Sequence, residues 1–331
     1  MSKYHKPNEI IIFKQIAQLI TTHDNIFIFH HHYPDGDCLG AQFGLLHLIK
    51  TNFANKNVFA VGDHENLYPF LTKTNTNTDL KTIDQQFFNN SLAIVVDSDN
   101  ISRIKLAEYL FQPNHFTTLL RIDHHKTKAN IKYDFEWVDH TYSAVCEQIT
   151  WMAKQLNWKI NLIGAQFLYL GIYTDSGCMS FEKTNGRTFQ TVAWLCQQGL
   201  QTDKINALLN HQKENLLRFY AFVWSNFKIE AQFAYCYISL ATIENYRLNI
   251  VESNDANLIG NIEGTKIWAF FIELDQTRVR IRLRSNSISV ENALAKFNSY
   301  GGHHYSTAGI FDKSLVPKLI EHLKNFSLNE Q

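Results

Sequence analysis

Four times between Asn25 and Gly177 a short apolar or helical stretch ends on a knot of carboxylates and imidazoles. Residues 25–30 (NIFIFH) run into His31-His32-Tyr33-Pro34-Asp35-Gly36-Asp37, and residues 92–96 into Asp97-Ser98-Asp99. Residues 118–122 lead to Asp123-His124-His125, and the stretch 162–173 leads to Thr174-Asp175-Ser176-Gly177. Length and apolar content make 25–30, 57–61, 92–96 and 118–122 buried strands. The helical period assigns 38–50, 143–156, 162–173 and 188–198 to helices, the last stopped by Gly199. Strands alternating with helices predict an α/β fold with a mostly parallel sheet covered on both faces. Ligands of such sheets bind just beyond the carboxyl ends of the strands, where three of the four knots lie.

Any one knot has an ordinary explanation. An Asp after a strand caps a helix or makes a turn, and a lone His is more often a surface or core residue than a ligand. Four knots brought to one crevice predict a metal site instead. Carboxylate oxygens mixed with imidazole nitrogens, without thiolates, suit Mn²⁺, Fe²⁺, Co²⁺ or Zn²⁺ better than Mg²⁺. The candidates outnumber the ligands of one tetrahedral ion. The expectation is therefore a two-metal centre, with ions roughly 3.5–4 Å apart around a bridging carboxylate.

Past residue 200 the pattern changes. Residues 202–227 are helical without a strand signal and are expected to connect two domains. Strands are predicted at 233–240, 267–274 and 278–283, and helices at 289–297 and 314–326, giving a smaller α/β or α+β domain. The expected division is 1–190 for the metal-binding domain, 191–215 for a helical linker and 216–331 for the second domain. Arg278, Arg280, Arg282 and Arg284 alternate along one strand and so share a face; Arg278 and Arg280 read as solvated.

Composition narrows the function. The 331 residues suffice for two domains at roughly 150 each, and 45% hydrophobic residues support packed cores. Lysine plus arginine and aspartate plus glutamate number 31 each. That neutrality argues against sequence-blind binding of long nucleic acid, which needs a basic face. Five cysteines without a C-x-x-C pair read as reduced thiols. Residues 1–8 carry Lys3 and Lys6, and the apolar stretch that follows is broken by Lys14 and Gln15, so a signal peptide is not expected. No run approaches the roughly 20 apolar residues of a membrane helix. The expected location is the cytoplasm.

Taken in order, the knots resemble motifs one to four of the DHH phosphoesterase superfamily. Asp123-His124-His125 is the signature triplet. His31, Asp35 and Asp37 match H-x-x-x-D-x-D, Asp97 matches the strand-ending Asp, and Thr174-Asp175-Ser176-Gly177 matches the Thr-Asp-Thr-Gly turn. Gly301-Gly302-His303-His304-Tyr305-Ser306-Thr307-Ala308-Gly309 resembles the glycine-rich motif of the DHH-associated C-terminal domain, with His303 in place of its third glycine. That substitution bears on the shape of the phosphate-binding loop.

The resemblance implies an active site in the cleft between the domains. It implies that His31, Asp35 and Asp97 bind one metal, most simply Mn²⁺, and that Asp37, Asp97, His124 and Asp175 bind a second. Asp97 would bridge them, His125 would face the substrate as acid or charge stabiliser, and Asp123 would orient the histidines. On a strand end His30 and His32 point opposite to His31 and read as structural. Arg284, Gly301, Gly302 and His304 would bind substrate. Arginine suits phosphate because its planar fork binds it bidentately, and glycines let amides approach an anion.

Within the superfamily the length and layout resemble the nano-RNase and pAp-phosphatase type. That type degrades short oligoribonucleotides, including pApA, and removes the 3′-phosphate of adenosine 3′,5′-bisphosphate; relatives cleave cyclic di-AMP. The expected partners are short RNA or small nucleotides, without long duplex or membrane, and a homodimer is allowed. A non-catalytic nucleotide-binding protein is the alternative from another class. Its mark would be a missing ligand, and none is missing.

Overall fold

Every residue of Asn25–Phe29 and Ser91–Val96 is buried, as the central strands of a parallel sheet covered on both sides must be. The computed structural model describes residues 9–73, 75–112, 115–126, 129–297 and 300–329, without the side chains of Tyr300, Gly302 and His303. The reading of residues 1–8 lies outside the described residues. The chain divides into two units, Met1–Asn210 and His211–Gln331.

The first unit begins with α1 (Glu9–Thr22), β1 (Asn25–Phe29), α2 (Gly36–Asn52), β2 (Asn57–Ala60) and a short α3 (Pro69–Thr72). Strands β3 (Ser91–Val96), β4 (Thr118–Asp123) and β5 (Phe135–Val138) follow. Helices α4 (Val145–Gln155), α5 (Leu162–Asp175), α6 (Gly186–Gln197) and α7 (Thr202–Leu209) complete it. The sheet runs β2-β1-β3-β4-β5 and every pairing is parallel. Ile26, Ile28, Ile94 and Val96 face the helices, packing with Phe13, Leu45 and Phe167. Phe27, Phe29, Ala93 and Val95 face the other way, onto Leu80, Phe88, Ile104 and Leu110.

That second face is covered by one-turn 3₁₀ segments and loops rather than long helices. Asp79, Asp84 and Asn100 each accept a hydrogen bond from the amide two residues on. Such local bonds compete with helix propagation. Phe27, Phe59, Phe88 and Phe116 stack edge and face to fill the volume a helix would have taken.

Helices α2 and α5 approach closely. A Cβ on Gly40 would lie 2.5 Å from the carbonyl of Phe167, and one on Gly171 would lie 2.2 Å from Cys146 Sγ and 2.7 Å from Asp37 Oδ1. Only glycine permits this approach, which brings the start of α2 beside the end of α5.

The second unit holds α8 (Glu214–Asn226), β6 (Lys228–Glu230), β7 (Phe233–Ile238), α9 (Leu240–Asn245), β8 (Ile267–Glu273) and β9 (Arg278–Ser285). It ends with β10 (Tyr300–His303), β11 (Ser306–Asp312) and α10 (Val316–Asn329). Its sheet runs β10-β11-β9-β8-β7-β6 and is mixed, with β7 and β8 parallel. Alternate residues of β7 and β8 enter two cores. One holds Leu319 and Leu323 of α10, the other Phe219 and Val223 of α8.

Several expectations are corrected. Residues 202–227 do not form a connector: Ile205 of α7 is buried in the first core, and Phe219 and Val223 of α8 are buried in the second. The segment 191–215 is divided between the units. The expected helix at 289–297 is a series of turns ending in one 3₁₀ turn at Ala295–Phe297. Just before it, Ser285 Oγ accepts from the amides of Ser287 and Ile288, and the Val290 amide donates to the distant His304 carbonyl. Strands β5, β6, β10 and β11 were not anticipated. Gly301 and Gly302 lie in edge strand β10 rather than in a loop, with Gly301 opposite Ala308. Among the described residues no helix is long and apolar enough to cross a membrane.

Candidate metal centre

Strand order reverses between β1 and β3, and a crevice opens at such a switch point beyond the carboxyl ends of the strands. The turn after β1 supplies His31 and Asp35, and the first turn of α2 supplies Asp37. Asp97 directly follows β3, and β4 ends in Asp123, followed by His124 and His125. Asp175 is the last residue of α5.

All six predicted ligands meet there. His31 Nε2 is 3.8 Å from Asp35 Oδ2 and 3.5 Å from Asp97 Oδ2. His124 Nε2 is 3.5 Å from Asp97 Oδ1, 3.4 Å from Asp175 Oδ2 and 3.9 Å from Asp37 Oδ2. Asp97 thus presents one oxygen to each histidine. Its backbone is left-handed, φ +56°, a region Asp tolerates better than most residues.

Both histidines and Asp35 are oriented by bonds that leave the atom facing the centre free. His31 Nδ1 lies 2.8 Å from the His32 carbonyl, and His124 Nδ1 lies 3.4 Å from the Tyr142 carbonyl. A carbonyl only accepts, so both Nδ1 atoms carry the proton and both Nε2 atoms present a lone pair. Asp35 caps α2, accepting from the amides of Asp37 and Cys38 through Oδ1, while Oδ2 turns to His31. Capping the helix therefore leaves one oxygen of Asp35 free. Asp37 accepts from the first amides of α4, Val145 and Cys146, a helix whose own N-cap residue, Ala144, has no side-chain acceptor.

The electrostatics call for a cation. Burial, then the neighbouring carboxylates, raise Asp37 and Asp97 well above the usual carboxylate range. The same causes push Asp175 up to about 8. Asp97 Oδ1 is buried without a hydrogen-bond partner. Burial, then the adjacent His125, lowers His124 to about 4, keeping it neutral as a ligand must be. Buried carboxylates facing one another with neutral imidazoles fit divalent cations, which supply the missing positive charge.

Two neighbours are close enough to join but are chemically unsuited. The near nitrogen of His125, Nδ1, is 3.6 Å from Asp97 Oδ1 but already donates to Asp123 Oδ1 at 2.7 Å. Cys38 clusters with His31 and Asp35, yet burial holds its thiol well above its usual pKa. His30 is buried on the opposite side, Nδ1 at 2.8 Å from the His31 carbonyl, and burial lowers it to about 4. His32 is exposed.

Asp123 stands behind the centre. It is fully buried and accepts from Arg121 Nε at 3.1 Å and from Nη2. Burial alone would raise its pKa; the bonds from His125 and Arg121 reverse that and hold it well below the usual range. Arg121 also donates to the Ser98 carbonyl and to Glu136, tying together the ends of β3, β4 and β5.

Sequence reasoning passed over Arg121, although its i, i+2 spacing from Asp123 on one strand face was a usable signal. It also missed the network under the 139–144 turn. There Arg187 bonds Glu147 and the Thr141 carbonyl and lies 3.4 Å over the Tyr142 ring, and Tyr142 Oη donates to Glu9. No local pattern announces contacts between residues so far apart in the chain.

The second-unit candidates are placed as follows. The side chains of β9 alternate, with Val279, Ile281 and Leu283 buried and Arg280, Arg282 and Arg284 half-buried on the opposite face. Arg278 is exposed and paired with Asp275. Arg284 Nη1 donates to the Leu283 carbonyl. His304 is exposed on the β10–β11 turn. The His303 side chain, on which the departure from the family glycine turns, lies outside the described residues.

Comparison with known proteins agrees with this architecture. Residues 25–172 match the model of the DHH family, N-terminal domain, and residues 231–327 match the DHHA1 domain. The chain is 40% identical over 297 residues to the bifunctional oligoribonuclease and PAP phosphatase NrnA of Mycoplasma genitalium, covering 90% of this chain and 92% of that protein. It is 36% identical to the protein of the same name from Mycoplasma pneumoniae, covering 95% and 94%. A crystal structure of an exopolyphosphatase-related protein from Bacteroides fragilis shares the fold, with a TM-score of 0.84 at 19% identity, covering 98% of this chain and 97% of that one. Fold, centre and relatives together define an enzyme of the metal-dependent phosphoesterase class. Within that class the chain belongs to the DHH family, carrying a DHH domain followed by a DHHA1 domain.

Proposed function

We propose that this enzyme hydrolyses short oligoribonucleotides and dinucleotides such as pApA to mononucleotides, and removes the 3′-phosphate of adenosine 3′,5′-bisphosphate, using two divalent cations, with Mn²⁺ the preferred ion. The observation that carries the proposal is Asp97, whose two oxygens face two separate imidazoles at 3.5 Å each. One carboxylate shared in this way suits a pair of ions. The substrate follows from the relatives at 40% and 36% identity, whose names give oligoribonuclease and PAP phosphatase.

His31, Asp35 and Asp97 would hold one ion, and Asp37, Asp97, His124 and Asp175 the other. Bound there, the cations supply Lewis-acid polarisation of the phosphoryl group and acidify water. His125 donates from Nδ1 to Asp123, which orients the ring, and its Nε2, when it also carries a proton, would give that proton to the leaving oxygen. In the second unit Arg284 and the edge-strand backbone of Gly301 and Gly302, with His304 beside them, would bind substrate phosphate.

Purified protein should release AMP from pApA with added Mn²⁺, and a chelator should stop it. A panel of pApA, longer oligonucleotides, cyclic di-AMP and adenosine 3′,5′-bisphosphate ranks the substrates. Undiminished hydrolysis after exhaustive chelation, or turnover of none of the four, rejects the proposal.

A further inference from the structure

Directly after Asp175 the backbone does something unusual. Gly177, Cys178 and Met179 are all left-handed, with φ of +56°, +56° and +66°. Such conformations are uncommon for residues other than glycine and concentrate where a structure needs a particular side chain aimed. The turn is fastened by Ser176, whose carbonyl accepts from the amides of Ser180 and Phe181 and whose Oγ accepts from the Met179 amide. It delivers Phe181 to the surface, where the residue stays 60% exposed. A Cβ on Gly177 would lie 2.5 Å from the Phe181 ring, so the ring rests over that glycine.

A single exposed aromatic is ordinary on a protein surface. Phe181 differs in what it lines: a cavity of about 350 Å³ that it shares with His124, His125, Ser143, Asp175, Glu182 and Lys183. Small-molecule sites begin at roughly this size, about 300 Å³. Lys183 lines the same cavity as His124 and Asp175. The lining thus combines an aromatic face and a cation with members of the candidate metal centre.

We infer that this cavity seats one nucleoside of the substrate, with its base stacked on Phe181 and an adjacent phosphate paired with Lys183. Stacking tolerates any base because every base offers a π face. It would make the enzyme a reader of nucleotides rather than of phosphate esters in general. The inference deepens the proposed function and rests on it.

The test compares wild type with Phe181→Ala, Phe181→Leu, Phe181→Trp and Lys183→Gln on pApA and on a base-free ribose-phosphate analogue, with metal content measured throughout. Stacking of one base corresponds to roughly a 10- to 100-fold change in affinity. Phe181→Ala should raise KM for pApA by about that factor, keep kcat and metal content, and leave the base-free analogue unaffected. Phe181→Trp should restore KM and Phe181→Leu should not. Lys183→Gln should weaken both substrates alike. Rescue by leucine equal to that by tryptophan, or equal losses on both substrates for Phe181→Ala, overturns the inference. If wild type turns over neither substrate, the proposed function fails, and calorimetric binding of AMP decides about Phe181 separately: a roughly tenfold weaker Phe181→Ala supports the platform, and equal affinity overturns it.

Discussion

Asp97 divides its carboxylate between two histidines, Oδ2 at 3.5 Å from His31 Nε2 and Oδ1 at 3.5 Å from His124 Nε2. Its left-handed backbone and its place at the end of the central strand β3 hold it between knots from β1 and β4. Asp97→Asn keeps the shape, removes the charge and replaces one oxygen by a donor. It should lower kcat about 1,000-fold, roughly 4 kcal/mol of the several that metal electrostatics contribute. Activity within tenfold of wild type would detach Asp97 from the chemistry.

Buried Asp123 joins buried Arg121 to the half-buried His125 and orients it. Asp123→Asn should reduce kcat about 10- to 100-fold, the usual effect of removing the carboxylate behind a site histidine, with metal content retained. His125→Ala should lower kcat further, and the double variant should be no worse than His125→Ala, because Asp123 acts through His125. Arg121→Ala strands a buried carboxylate and should cost about 3–5 kcal/mol of stability, read by denaturant unfolding.

The metal-free protein should respond to pH with a definite sign. Asp37, Asp97 and Asp175 bind protons more tightly folded than unfolded, Asp175 titrating near 8. In chelator, stability should rise as pH falls from about 8 to 7, because the folded chain takes up more protons than the unfolded one. Below about 6.5 the sign is opposed by His30 and His124, whose folded values sit near 4. Added Mn²⁺ should flatten or invert the rise, since ligands bind metal deprotonated. A Tm in chelator that falls between pH 8 and 7 would contradict this account.

Gly171 sets the approach of α5 to α2. Gly171→Ala places a methyl 2.2 Å from Cys146 Sγ and 2.7 Å from Asp37 Oδ1. Overpacking should destabilise the fold by about 1–3 kcal/mol and weaken metal binding by displacing Asp37. Wild-type stability and metal content together would show the helices to be less tightly set than the structure has them.

What could be read from the chain and what could not divide along physical lines. β1, β3 and β4 were legible because a buried parallel strand is a continuous apolar run, and the polar residues that end such runs stand out. His31, Asp35, Asp37, Asp97 and His124 were picked out by their positions after those runs and by resemblance, Asp175 by its place after a helical stretch and by resemblance, and the structure brings them together. Strands β10 and β11 were hidden by their composition. Gly301, Gly302, Ala308 and Gly309 carry no alternating apolar signal, and their pairing with β9 is a long-range choice. The Tyr142 carbonyl that orients His124, and the Glu147–Arg187 pair beneath it, join distant residues through backbone and ion-pair contacts that no local period encodes. Residues 289–297 misled because the Val290 amide is held by the His304 carbonyl, a long-range contact that no local period encodes.

The most direct measurement is the metal stoichiometry of activity. Chelated protein is titrated with Mn²⁺ while bound metal, turnover of pApA and the electron paramagnetic resonance spectrum are followed together. The account predicts activity that saturates at two ions per chain with a spin-coupled manganese signal, and loss of that coupling in Asp97→Asn. Full activity with one ion per chain, or a coupled signal that persists in Asp97→Asn, would contradict it.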